Sequence, residues 1–93
     1  MDMSEGNYPG FVLRHAAGMW NLLDLSHPEF PYKEPLRLNE SGAIIWQEIE
    51  RGMNLDAISQ ELVKEYGISR KEADSDLRDF CEKLKAFGVP LDI

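Results

Sequence analysis

The apolar residues of this chain change their spacing once, near residue 38, and that change limits the fold more than any other feature. Upstream, FVLRH (11–15) and MWNLLDL (19–25) are short apolar and aromatic runs separated by Ala16, Ala17 and Gly18, as in two strands joined by a tight turn. Three prolines in SHPEFPYKEP (26–35) deny ladder hydrogen bonds and fix φ, so that segment reads as an irregular connection. In PLRL (35–38), Leu36 and Leu38 fall on one side of an extended segment and Arg37 on the other, which predicts a third, very short strand.

Downstream the period is helical. Asn39 can accept a hydrogen bond from the free amides of a first turn, and Glu40 sets negative charge at the positive end of the helix dipole. Gly42, Ile45, Trp46, Ile49 and Met53 share one face, predicting a helix over 40–51 with Gly52 as its stop. A second helix over 55–66 opens at Asn54, carries Leu55, Ile58, Leu62, Val63 and Tyr66, and ends at Gly67. Ser69-Arg70-Lys71-Glu72 is a capping box opening a third over 70–87, with Ile68 placed to staple to Ala73. Its stripe of Ala73, Leu77, Phe80, Leu84 and Phe87 faces a core until Gly88 and Pro90 end it. Strands first and helices after argue an α+β domain, winged-helix-like, with helices covering one side of a three-stranded antiparallel sheet. With 93 residues, 43% of them hydrophobic, the chain is expected to form one domain over 1–93 and to bury somewhat over ~60% of its unfolded surface.

Chemistry is sparse. His15 and His27 stand at no ligand spacing, so no metal site is defined. The single cysteine, Cys81, lies within the third helix without an activating base and reads as a small core residue. No GxGxxG, GxxxxGK[ST], HExxH or GxSxG occurs, and the carboxylates fall mostly on solvent faces beside lysine and arginine. A non-enzyme without cofactor is expected. No apolar run approaches the ~18–20 residues that span a bilayer, and MDMSEGNYPG has neither the basic region nor the apolar core of a secretory signal, so a cytoplasmic protein off the membrane is expected. Seventeen Asp and Glu against ten Lys and Arg give a net charge of −7, a field that repels phosphate backbones and mildly favours a basic peptide or protein.

Three elements then carry a resemblance. Leu38 to Trp46 reads LNESGAIIW, Asn54-Leu55 is followed by Ile58, and Asp76-Leu77 is followed by Phe80, Leu84 and Gly88. In this order and spacing they resemble the body of the PqqD family, and PGFVLRHAAGMWNLLDL resembles its first hairpin, so the likeness covers about residues 8–89. The resemblance implies a RiPP recognition element, a non-catalytic module that captures the leader of a ribosomally made precursor peptide. It presents that peptide to a modifying enzyme, often a radical SAM maturase. The leader would add a strand to the edge of the third strand, beside the third helix.

Carried onto this chain, the docking edge is Pro35, Leu36, Arg37 and Leu38, the helical wall is Asp76, Phe80 and Lys83, and Leu77 and Leu84 form the floor. Gly42 is read as the point where strand and turn approach the first helical turn closely, with the block Ile44 to Trp46 anchoring that helix under the sheet. Two other classes share the fold. A winged-helix DNA-binding regulator would need a basic face, whereas Arg70, Lys71, Arg78, Lys83 and Lys85 are balanced by Glu72, Asp74, Asp76, Asp79 and Glu82. A structural dimerisation subunit would use the same unpaired strand edge to recruit a second copy, a homodimer.

Overall fold

The hairpin turn shows how the local sequence sets the start of the fold. A computed structural model of the protein describes residues 8–26 and 33–91. In it β1 (Phe11–Ala16) and β2 (Met19–Asp24) are joined by Ala17 and Gly18 alone. Both turn residues have positive φ, 54° and 74°, the conformation whose twist matches that of the flanking strands. Gly18 adopts it freely, but Ala17 places a Cβ in the left-handed region, where asparagine is better tolerated. Ala17→Asn is therefore expected to raise stability by about 0.5–1 kcal/mol, read as a higher urea midpoint at unchanged slope.

β3 (Leu36–Leu38) completes an antiparallel sheet in the order β1-β2-β3. It starts one residue later than the strand expected over 35–38, Pro35 staying outside the ladder. Trp20 stands opposite Leu38, Asn21 opposite Arg37 and Leu22 opposite Leu36. Rows of side chains thus alternate across the sheet, with Leu13, Leu22 and Leu36 on the face toward the helices and Arg14, Asn21 and Arg37 on the other. Most of the proline-rich connection, His27 included, lies outside the described residues; His15 is exposed at the end of β1 and stacks on Trp20 at 4.4 Å between ring centroids.

Each helix starts where its capping residue stands. Asn39 accepts from the Gly42 amide, Asn54 from that of Ala57 and Ser69 from that of Glu72, opening α1 (Glu40–Glu50), α2 (Leu55–Tyr66) and α3 (Arg70–Phe87). Gly67 and Gly88 close α2 and α3 in the left-handed conformation, whereas Arg51 caps α1 and Gly52 follows with φ 89°. The result is an α+β fold of winged-helix type. Leu22 and Leu38 from the sheet meet Ile45, Trp46 and Ile49 of α1, Ile58 and Leu62 of α2, and Ala73, Leu77, Cys81 and Leu84 of α3 in one core.

Two sequence expectations change. Ile44 does not help to anchor α1: it is 44% exposed, and Ala43, Ile45, Trp46 and Ile49 do that work on the buried arc. Glu48 breaks the rule that carboxylates face solvent, because α2 packs over its side of α1 and leaves it only 7% exposed. Cys81 is buried as expected, and burial pushes its thiol up, with Lys85 opposing.

Candidate functional site

β3 is the outer strand of the sheet on the side away from β1, and the hydrogen-bond phase decides what its open edge offers. The Leu25 amide donates to the Gly10 carbonyl at 2.7 Å. Bonded pairs in an antiparallel ladder recur every second residue, so Val12 with Leu23, Arg14 with Asn21 and Ala16 with Met19 are also bonded pairs. Asn21 thereby spends its main-chain groups on β1, and β2 turns those of Trp20 and Leu22 toward Leu38 and Leu36. Arg37, opposite Asn21, is left with its N–H and C=O both directed away from the sheet. Its side chain, by the alternation of the strand, projects from the face opposite the core.

That open edge borders a groove of about 480 Å³. One wall is Arg37 and Leu38, and the other is Asp76, Asp79, Phe80 and Lys83 of α3, spaced i, i+3, i+4 and i+7 along a single helical face. Asn39, Ser41, Gly42 and Ile45 at the start of α1 lie between them. Of the residues read from the sequence, five therefore meet in one place: Arg37, Leu38, Asp76, Phe80 and Lys83. Pro35 and Leu36 do not line the groove. Leu77 and Leu84 are buried, and Leu77 borders the cleft between α2 and α3 on the far flank of α3. Asp79 escaped the sequence reading, although its spacing of three from Asp76 and four from Lys83 marks the same face.

Gly42 explains how α1 and α3 come so close. A Cβ there would stand 3.1 Å from the Asn39 Oδ1 that caps the helix, 3.3 Å from Cε1 of Phe80 and 3.5 Å from Cβ of Leu38. The close approach is thus made by the capping side chain and the Phe80 ring, not by sheet backbone as the sequence suggested. Gly42→Ala gains up to ~1 kcal/mol of helix propensity but must displace the half-buried ring. The expected outcome is little net change in melting temperature together with altered Phe80 ring shifts in the NMR spectrum, the groove being reshaped while the fold stays.

The wider cleft near the hairpin tip, about 700 Å³ and lined by His15, Met19 and Trp20, shares Arg37, Leu38 and Asn39 with the groove. No residue of α3 lines it, so a strand added there would meet no wall from that helix. One basic side chain elsewhere on α3 is committed to carboxylates of the same chain. Arg70 bridges Asp74, at 3.0 Å, and Asp56 of α2, and Ser59 donates to Asp74. Those bonds hold the Asp74 carboxyl below its ordinary value. Among the described residues no cluster of His, Cys, Asp or Glu is arranged to hold a metal ion, and no helix is long and apolar enough to cross a membrane.

The family model described as Coenzyme PQQ synthesis protein D (PqqD) matches residues 22–89. No curated protein and no solved structure matches the chain.

Proposed function

Because the chain belongs to the PqqD family, we propose that it is a non-catalytic peptide-binding partner of a modifying enzyme. It captures the leader of a ribosomally made precursor peptide by strand addition at β3 and presents the peptide to a radical SAM maturase. The observation that carries this reading is the outward N–H and C=O of Arg37 above a groove walled by α3. A peptide laid antiparallel or parallel along that edge gains main-chain hydrogen bonds, and its alternate side chains enter the groove toward Phe80 and Ile45. Its other side chains continue the row of Arg14, Asn21 and Arg37, where an acidic residue opposite Arg37 is favoured. Against a nucleic-acid role stand the net charge of −7 and the commitment of Arg70 to Asp56 and Asp74.

The test is an NMR titration of the protein with the leader of a precursor peptide encoded beside it. Shifts should gather at 36–39, 41–45 and 76–83, with a dissociation constant near the micromolar level, about −8 kcal/mol, or tighter. Arg37→Pro sharpens it. Proline removes an N–H that no ladder bond uses, tolerates an edge position, and asks of Leu36 only the extended backbone it already has. Affinity should fall by about ten-fold or more, a loss of ~1.4 kcal/mol or greater, with the helical circular dichroism unchanged. Full affinity in this variant would move the peptide off the β3 edge.

A further inference from the structure

On the other side of α1 from the groove's Phe80, α1 and α2 enclose a separate cleft of about 210 Å³. Ser41 alone belongs to both linings. Glu48 of α1 and Glu61 and Glu65 of α2 supply its carboxylates. Glu48 is 7% exposed, yet the side chain within hydrogen-bonding reach of it is Glu61, another carboxylate, and Glu65 adds to the repulsion. Among the described residues no cation pairs with it; Arg51, one turn further along α1, acts on it only through space. A carboxylate so desolvated needs either a proton or a cation.

The rest of the lining is Ser41, buried Leu62, and exposed Ile44 and Tyr66. Among the described residues Met19, Leu25, Ile44 and Tyr66 are the large hydrophobic side chains left exposed, and two of those four, Ile44 and Tyr66, line this one cleft. One buried and two exposed carboxylates beside an exposed aliphatic and an exposed aromatic side chain match a side chain that has an apolar stem and a cationic head. We propose that the α1–α2 cleft receives a lysine or arginine side chain of a protein partner, its stem on Ile44 and Tyr66 and its head among Glu48, Glu61 and Glu65. The tyrosine ring adds a cation–π face, and the buried carboxylate exchanges its proton for a charge-assisted hydrogen bond. The acidic net charge brings a basic surface toward it. A metal ion fits less well, because these carboxylates are not arranged to coordinate one. The site is independent of peptide binding at β3, so both can be filled together.

The probe is the blocked tripeptide acetyl-Ala-Lys-Ala-amide, with norleucine in place of lysine as control. Carboxyl carbon shifts of the protein are followed by NMR from pH 5 to 8. The lysine peptide should produce saturable shifts at Glu48, Glu61 and Glu65 and at the Tyr66 ring, and should bind more tightly as pH rises and Glu48 ionises beside Glu61, Glu65, Arg51 and Tyr66. Glu48→Gln, and separately the exposed change Tyr66→Ala, should each weaken binding by about ten-fold. Shifts of equal size at Asp76 and Asp79 without saturation would reduce the effect to diffuse charge and overturn the proposal. So would equal binding of the norleucine peptide. Light scattering that showed a dimer abolished by Glu48→Gln would give the cleft to a second copy of this chain and overturn it as well.

Discussion

Replacing Trp46 by alanine is expected to cost about 3–5 kcal/mol, a large fraction of the roughly 5–15 kcal/mol by which ordinary domains are stable. Trp46 is fully buried, and its ring meets Tyr8 at 5.7 Å and Phe11 at 6.2 Å between centroids, so α1, β1 and the segment before β1 all lose their common contact when it is removed. The same side chain carries an orphan. Among the described residues its indole Nε1 is buried without a hydrogen-bond partner, which costs the folded state about 1–3 kcal/mol. Trp46→Phe removes that penalty while retaining most of the ring, so it should be destabilised by less than about 1.5 kcal/mol. Urea unfolding of the two variants checks the argument. Equal losses would mean that the indole N–H is satisfied after all, and a small loss for alanine would place the core elsewhere.

The helices were legible because each is written twice in the sequence, once as an apolar stripe and once as punctuation. Asn54 with Gly67 and Ser69 with Gly88 set the bounds of α2 and α3 as read, since capping is a local matter of amides and side chains. The hairpin was legible for the same local reason. The pairing of β3 was not, because three residues hold too little pattern to choose a neighbour, and the choice depends on closing the loop that ends at residue 35. Which flank of α3 faces β3 was also hidden. Asp76 and Lys83 look like any solvated helix residues until β3 is set beside them. Glu48 is the clearest case. Its neighbours Gln47 and Ile49 give no sign that a carboxylate between them will be covered, and only the packing of α2 against α1 decides it.

That covered carboxylate should make the protein less stable as pH rises from about 4.5 to about 7. Burial, reinforced by hydrogen bonding to Glu61 and by the charges of Glu61 and Glu65 against a smaller opposing effect of Arg51, raises the Glu48 carboxyl from 4.5 to about 7. Between these values the folded state holds a proton that the unfolded state has released. Stability therefore falls with pH across that window and levels off above it, by roughly 3 kcal/mol in total. Asp24 acts in the opposite sense and at lower pH. Burial opposes its ionisation, but hydrogen bonds from Lys33, at 2.7 Å, and Ser26 hold it down at about 2, so its contribution is present above 3.8 and is lost as pH falls through about 2. Taken by themselves, these two groups favour the folded chain most between their windows, near pH 4–5. Urea midpoints at pH 5 and pH 8 measure the effect. Glu48→Gln supplies the control, since a neutral amide should match the wild-type chain at pH 5 and exceed it at pH 8. A decline of the same size in Glu48→Gln would assign the slope to the net charge of −7 and not to this one group. A filled α1–α2 cleft would also flatten the slope, because a bound cation would then do for the Glu48 carboxylate what the proton does in its absence.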